Sequence, residues 1–370
     1  MKILHINSYY NTSKFYKNLY DNQIKMGLDI DVFVPVTSSF KISDFDYGKY
    51  TIISRNHNKY DRIFFHVKHN KIYNDIQNKY NIKEYSVIHA HSLFSNGFIA
   101  MKLKRKYGIP YVVAVRNTDV NIFFNKMIHL RRIGIEILKE ADQIIFLSKS
   151  YEKQVIDKYV PKILKETIQS KVSIVPNGID NFWFDNTYSQ KREINISEIR
   201  ILQIGDINKN KNIVTTIKAI DLLYQKGYKV KLDVVGKIKD QRIFNKIKNL
   251  SYVNYLGYKS KEELIEIYRN NDIFILPSIT ETFGLVYPEA MSQGLPVIYS
   301  KGQGFDGQFE DEEVGYSVDC CNEIDISNTI INILNNFNEI SVKCIKDIGK
   351  FNWENISLQY AKLYKRITKG

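Results

Sequence analysis

Short apolar runs alternate with amphipathic stretches along this chain, in two successive series. The strand-like runs of the first series are 2–6 (KILHI), 31–36 (DVFVPV), 62–65 (RIFF), 86–90 (SVIHA), 111–115 (YVVAV), 143–147 (QIIFL) and 172–175 (VSIV). Helical patterns fall between them at 96–107, 122–140 and 149–158. A second series follows, with strands at 199–204, 229–235, 252–256, 272–276 and 295–299 and helices at 212–226, 241–250 and 261–270. Continuous apolar strands separated by helices demand parallel sheets covered on both faces, because a parallel crossover places a helix over each face. Two such series in 370 residues exceed what one core holds. The chain is therefore predicted to be α/β, with two doubly wound domains. The turn VPNGID (175–180) and the polar stretch 186–198 mark the break, giving domains at 1–185 and 186–350 and a closing segment at 351–370.

Charge is divided unevenly between the halves. Residues 1–185 hold 28 Lys+Arg against 17 Asp+Glu, and residues 186–370 hold 25 against 23, so the first half carries +11 of the total +13. A basic half suggests an anionic partner: lipid, nucleic acid or a phosphorylated substrate. A composition biased throughout to Lys, Asn, Ile and Tyr accounts for the excess equally well. The N-terminal MKILHIN is not a signal peptide, and no run of about 18 apolar residues suits a membrane span. Three cysteines are too few for a disulfide framework, which points to a reducing, cytoplasmic setting.

In open parallel sheets, ligands sit beyond the carboxyl ends of the strands. The loops to inspect are therefore those holding His89 and His91, Arg116 to Asp119, Gly205 to Lys211, Gly236, PSITETFG (277–284) and SKGQGFDG (300–307). In ETFGLVYPEA (281–290), a helix opening near Gly284 would hold phosphate at its N-terminus. Glu281 before it and Glu289 inside it would accept hydroxyl hydrogens on either side. Taken alone, the pair reads equally well as a surface glutamate and a capping glutamate. His89 and His91 share a strand face but lack a third metal ligand. Asp119 either accepts from a substrate hydroxyl or caps a helix. The Asp44-Phe45-Asp46 triplet follows no apolar strand and reads as loop, so no metal is implied.

The stretch PSITETFGLVYPEAMSQGLPVI (277–298) resembles the signature of GT-B glycosyltransferases of family 4, which are retaining and use nucleotide sugars. VIHAHS (87–92), VPNGID (175–180), IGDINKNKN (204–212), the run from Tyr255 to Ser278 and FNWENISLQYAKLY (351–364) are similar to further segments of that family. The resemblance implies two Rossmann-like domains facing across a cleft, the first seating the acceptor and the second the donor, with a closing helix that crosses back onto the first. It implies catalytic roles for Glu281 and Lys211, while His91 and Arg116 are expected to be catalytic from their strand-end positions. The donor would be bound by Gly205, Lys209, Lys211, Gly236, Tyr258, Glu281, Thr282, Phe283, Gly284, Leu285 and Glu289, with Glu281 on the sugar and Glu289 on the ribose. The acceptor would meet His89, His91, Asn117 and Asp119. No cofactor or metal is implied. The partners are a nucleotide sugar, taken as UDP-linked, and a glycan or lipid-linked acceptor in surface polysaccharide synthesis; nucleic acid is not among them.

Two positions depart from the family pattern. Asp206 stands where an arginine usually follows the loop glycine, and Arg116 stands where many members have a histidine. Arg116 or Lys209 is the expected substitute for the missing cation. The segments 101–108 and 122–140 carry basic beside apolar residues and either rest on an anionic membrane, placing the protein at its inner face, or are solvated helix faces. Two competing readings are a GT-B sugar-nucleotide epimerase and a non-catalytic partner subunit of a transferase, the latter favoured only by Asp206.

Overall fold

The computed structural model describes residues 1–369, without the side chains of Arg62 and Lys369. Gly370, the end of the predicted closing segment, lies outside the described residues. The chain divides into two compact units: Met1–Gly178 together with the chain from Trp353 onward, and Ile179–Asn352.

Unit 1 contains a seven-stranded sheet of β1 (Lys2–Ile6), β2 (Asp29–Thr37), β3 (Thr51–His57), β4 (Val87–Ala90), β5 (Tyr111–Val115), β6 (Gln143–Phe146) and β7 (Val172–Ile174), in the order β3-β2-β1-β4-β5-β6-β7. Unit 2 contains β8 (Ile199–Ile204), β9 (Val230–Val235), β10 (Val253–Gly257), β11 (Ile273–Leu276), β12 (Val297–Ser300) and β13 (Gly315–Val318), in the order β10-β9-β8-β11-β12-β13. Every pairing is parallel. The central strands β5 and β11 are buried along their whole length, as strands covered on both faces must be. Strand order reverses between β1 and β4 in unit 1, and between β8 and β11 in unit 2. At such a reversal the flanking crossovers leave in opposite directions and open a crevice at the carboxyl ends.

Three expectations are corrected, and one strand was not foreseen. RIFF (62–65) is not a strand: Phe65 opens the helix Phe65–Lys79, and the strand is β3 upstream, whose TIISRNH half-exposes its apolar side as an edge strand does. The short β13, GYSV, had no apolar run to announce it. The stretch 122–140 is broken into a π-helical turn Asp119–Phe124, a 3-10 turn Ile128–Leu130 and the helix Arg131–Glu140, with Arg131 Nε donating to the Phe124 carbonyl at 2.6 Å. The domain break lies at 178/179, inside VPNGID, rather than in 186–198. That polar stretch looks like a linker, but Arg192 is buried and donates to the carbonyls of Gln293 at 2.9 Å, of Arg269 at 3.1 Å and of Asn271, which fastens it to unit 2.

The helix Trp353–Lys369 packs its Trp353, Ile356, Tyr360 and Tyr364 into the unit 1 core beside Tyr16, Tyr20 and Ile145. Gly178 makes this possible: a Cβ there would lie 2.5 Å from the Trp353 ring. Phe15 stacks on the same indole, with centroids 5.9 Å apart. Trp353→Ala is expected to cost unit 1 about 3–5 kcal/mol, as other buried tryptophan truncations do. A urea midpoint followed by circular dichroism reads it, and a loss under about 1 kcal/mol would show the helix to be a loose appendage.

Candidate functional site

Unit 2 places two loops at its strand-order reversal. The loop after β8 carries Lys211 and the loop after β11 carries Glu281, and Lys211 Nζ meets Glu281 Oε2 at 2.5 Å. Glu281 is held from several sides. Ser278 Oγ donates to Oε2 at 3.2 Å and the Thr282 N–H to Oε1 at 3.2 Å. Its own N–H donates to Gln303 Oε1 at 2.9 Å, and its carbonyl accepts from the Gly304 N–H at 3.2 Å. Two asparagines staple the loops together. Asn210 Oδ1 accepts from the Thr280 N–H at 3.0 Å, and its Nδ2 donates to the Thr280 carbonyl at 2.9 Å. Asn212, in the left-handed conformation at φ 55°, donates to the carbonyls of Pro277 at 3.1 Å and Cys320 at 2.5 Å.

The glycines answer to close approach. A Cβ on Gly236 would stand 2.1 Å from the Gly205 carbonyl oxygen. Gly205 in turn leaves room for the Lys211 stem, which would pass 3.3 Å from a Cβ there. Gly284 turns the chain at φ 78°, where a Cβ would clash with the Tyr287 ring at 2.3 Å. The helix that follows is Val286–Ser292, beginning two residues later than expected, so Glu289 lies in its first turn. Tyr268 Oη donates to Glu289 Oε2 at 3.4 Å. Burial pushes the Glu289 carboxyl up to about 7, and neighbouring Asp180 adds to the rise, while hydrogen bonds from Tyr268 and Trp183 oppose it.

The remaining expected donor residues are dispersed. Phe283 is buried against Phe305 and Phe351, with centroids 6.0 and 5.8 Å away, and serves packing, which corrects its place among the ligand contacts. Thr282 and Lys209 are exposed, and Asp206 and Leu285 are half-buried. Tyr258 is exposed, with Lys237 Nζ 4.7 Å above its ring.

In unit 1, β1 and β4 pair with His5 opposite His89. The structure thus supplies the third histidine that HxH alone lacked: ring nitrogens of His5, His89 and His91 lie within 4.8 Å of one another. None of the three reaches solvent. His5 Nδ1 lies 3.0 Å from His91 Nε2, Tyr20 Oη 3.3 Å from the same Nε2, and Tyr364 Oη 2.6 Å from His89 Nδ1. Burial first, and then the mutual repulsion of the rings and the nearby Arg116, push His89 and His91 well below the usual histidine range. Burial takes His5 to about 3. A cation here would join an arginine in a dry core, with no carboxylate among these hydrogen-bond partners, so the chemistry favours neutral, mutually bonded imidazoles. His89 and His91 are therefore corrected from cleft residues to buried ones.

Arg116 and Asp119 are corrected in the same direction. Arg116 Nε donates to the His91 carbonyl at 3.2 Å and Nη1 to Asn177 Oδ1 at 3.2 Å, which ties the guanidinium down inside unit 1. The cation that lies against the Asp206 loop is Lys211 of that same loop. Asp119 is buried and accepts three backbone N–H bonds, from Leu93 at 3.0 Å, Phe94 at 3.1 Å and Arg116 at 2.9 Å, so it caps the turn after β4. Burial raises its carboxyl to about 6, against those donors and Arg116. Asn117 Nδ2 donates to Tyr151 Oη at 2.8 Å. In the DxD triplet, Asp46 accepts from the Gly48 N–H at 2.9 Å and pairs with Lys17 at 3.3 Å, as a loop residue does. A cavity of about 360 Å³ opens beyond the carboxyl ends of β1 to β4, lined among others by Tyr9, Thr37, His57, Lys68, Asn96 and Phe123. Sequence reasoning missed His5, Asn210, Asn212, Ser278 and Gln303. Only His5, at the position matching His89 on an adjacent strand, and Gln303, inside the glycine-rich loop, carried a readable signal.

Residues 184–349 match the family described as Glycosyl transferases group 1, and residues 13–181 match Glycosyltransferase Family 4. An uncharacterised glycosyltransferase of Methanocaldococcus jannaschii is 28% identical over 311 residues, covering 77% of this chain and 76% of that one. A capsular polysaccharide biosynthesis glycosyltransferase of Staphylococcus aureus is 29% identical over 189 residues, 48% of each chain. Among solved structures, Anabaena HepE in complex with UDP and glucose superposes with a TM-score of 0.69 at 15% identity, covering 99% of this chain and 100% of that one. With two family matches that together span both parallel-sheet units, the chain belongs to the GT-B glycosyltransferases of family 4.

Proposed function

We propose that this transferase moves a sugar, with retention and without a metal, from a UDP-linked donor to a hydroxyl of a glycan or lipid-linked acceptor in surface polysaccharide synthesis. The observation that carries the reading is the Lys211–Glu281 pair at the strand-order reversal of unit 2. Retention, the donor and the setting rest on the resemblance of 277–298 to the family signature, on the UDP in the HepE complex and on the capsular relative.

In this reading the anomeric carbon gives up its bond to the diphosphate oxygen and gains one to the acceptor oxygen, and the acceptor proton leaves with the nucleoside diphosphate. Charge therefore develops on the diphosphate, and a pre-placed cation lowers the barrier most where that charge appears. Lys211 supplies this charge, assisted by the exposed Lys209 of the same loop. Before the donor arrives, Glu281 neutralises Lys211; once the diphosphate recruits Lys211, Glu281 is released to take a sugar hydroxyl. Glu289 takes the ribose hydroxyls as a carboxylate. The cavity beyond the ends of β1 to β4 receives the acceptor.

Lys211→Met is expected to lower kcat by about 10²–10³-fold, the usual loss for one transition-state donor, with the fold retained by circular dichroism. Turnover is expected to persist in excess EDTA. Wild-type rates in the variant would remove Lys211 from the chemistry, and loss in EDTA restored by a divalent cation would overturn the metal-free reading.

Glu289 predicts a pH dependence. Burial holds its folded carboxyl at about 7, above the ordinary glutamate value of 4.5, so donor affinity that needs the carboxylate is full above 7 and falls as pH drops through it. The decline approaches about tenfold per pH unit below that point. Calorimetric titration with UDP-glucose from pH 8 to pH 5.5 measures it. Glu289→Gln flattens the profile, and a flat wild-type profile would show that Glu289 does not meet the donor as an anion.

A further inference from the structure

The turn after β13 carries two adjacent cysteines, Cys320 and Cys321. Cys320 is half-buried and Cys321 is exposed, and their sulfurs stand 3.8 Å apart. The third cysteine, Cys344, is buried and gives its thiol to the carbonyls of Leu295 at 3.4 Å and Val314 at 3.3 Å, so it belongs to packing. The sulfurs of the adjacent pair face each other instead.

Both flanks of the pair are pinned. The Asp319 N–H donates to Asp325 Oδ2 at 2.8 Å, and Asp319 Oδ1 accepts from the Cys321 N–H at 2.9 Å. The Asn322 N–H donates to the Asp319 carbonyl at 3.0 Å, and Asn322 Oδ1 caps the helix Glu323–Asp347 through the N–H groups of Ile324 and Asp325 at 3.1 Å each. The carbonyl between the two cysteines joins the candidate site: it accepts from Asn212 Nδ2 at 2.5 Å. Asn212 directly follows Lys211, and the same Nδ2 holds the Pro277 carbonyl of the Glu281 loop at 3.1 Å. A left-handed asparagine keeps its conformation only while such bonds over-determine it. The sulfur pair and the Lys211 loop thus meet at one peptide group.

We infer that Cys320 and Cys321 form a redox modification site, which a hydroperoxide closes to a vicinal disulfide, and that closure releases the Asn212 staple beside Lys211. The exposed Cys321 thiolate attacks one oxygen of hydrogen peroxide, the O–O bond breaks, and hydroxide leaves and takes up the proton that the thiol had lost; Cys321 is then a sulfenic acid. The Cys320 sulfur attacks the Cys321 sulfur, the S–O bond breaks, and water leaves with the Cys320 proton. The two thiols are oxidised by two electrons, and the peroxide is reduced to two waters. Burial, and then the neighbouring sulfur and Asp319, push the Cys320 thiol up to about 11, so it stays protonated while Cys321 meets the oxidant.

Closing the ring strains the shared peptide. Adjacent Cα atoms across a trans peptide lie about 3.8 Å apart, whereas a disulfide prefers about 4.4–6.8 Å. The sulfurs must also close from 3.8 Å to about 2.05 Å. With Asp319 and Asn322 held, the strain falls on the peptide between the cysteines, and its twist turns the Cys320 carbonyl away from Asn212. A strained disulfide is easily reduced, so the change is reversible. That the loosened loop then loses the donor rests on the proposed transferase reading; the disulfide and the loosening do not.

Peptide-level mass spectrometry of the whole protein, treated with dilute hydrogen peroxide and then with dithiothreitol, tests the closure. The wild-type peptide carrying both cysteines is expected to become about 2 Da lighter and to recover on reduction, while the Cys321→Ser peptide does not lose this mass. Backbone hydrogen exchange reads the staple. The amides of Ile279 and Thr280, which donate to Asn210 at 2.8 and 3.0 Å, are expected to exchange at least about fivefold faster after peroxide in wild type and at an unchanged rate in Cys321→Ser. The dissociation constant for UDP, measured by calorimetry, is expected to rise at least about fivefold in oxidised wild type alone. A wild-type peptide that stays unchanged, only gains oxygen or links to a second copy overturns the site. A disulfide with unchanged exchange overturns the coupling to Asn212. Closure with faster exchange, but no UDP binding in either redox state, upholds the inference and sinks the UDP-linked donor reading instead.

Discussion

The ion pair between Lys211 and Glu281 joins two loops that belong to different halves of one sheet. Those loops are neighbours only because strand order reverses between β8 and β11, so that their crossovers part and leave the strand ends open. The surrounding features serve that meeting. Gly205 gives the lysine stem its path, and Gly236 lets its strand end close on Gly205. Asn210 and Asn212 bind one loop to the other, and Gln303 and Gly304 hold the Glu281 backbone from a third loop. A half-buried pair of this kind is a weak source of stability, because each ion gives up water to form it. In the proposed reading its value lies in holding the cation at the strand ends, where an arriving diphosphate takes it over from Glu281.

The two glutamates of the same ten-residue stretch live in different fields. Glu281 faces a lysine and a serine hydroxyl. Glu289 faces a tyrosine and an indole, with the cation Lys261 a minor influence, so burial dominates and its proton is held to about 7. The sign of the linkage follows. Folding raises the Glu289 proton affinity, so the stability this group contributes is complete below about 4.5 and is lost as pH rises through 7. A site that works with an ionised Glu289 therefore works against local stability, which is expected of a group kept for a ligand rather than for the fold.

How much of this was legible depended on the kind of order involved. Buried parallel strands are largely apolar: β5 and β11 could be read from unbroken apolar runs, and β1 and β8 from runs broken by single polar residues. The edge strand β3 could not, because its only buried residues are the polar Ser54 and His57 and its pattern dissolves into polar residues. The reversal loops, and Lys211 and Glu281 each as a site residue, were legible through strand ends and the family signature; their direct pairing was not. The asparagine staples were not: Asn is common throughout this chain, and only tertiary contact distinguishes Asn210 from its neighbours. Arg192 misled in the opposite sense, since a buried arginine satisfied by carbonyls has the composition of a linker.

The residues read as catalytic groups or acceptor contacts in unit 1 show why a strand-end position is an ambiguous signal. His89, His91, Arg116 and Asp119 all stand where a ligand would be sought, yet each is buried and hydrogen-bonds within the unit. Backbone groups leaving a parallel sheet lose their ladder partners just where the chain turns, and buried N–H and C=O groups must be paired. Asp119 takes up three such N–H groups, and Arg116 takes up the His91 carbonyl. The same strand end that exposes a site to substrate thus creates a demand for polar side chains that never touch one. Composition cannot separate the two uses. The cavity proposed for the acceptor is lined by Tyr9, His57, Lys68 and Asn96, which are different residues from those that repair the sheet edge.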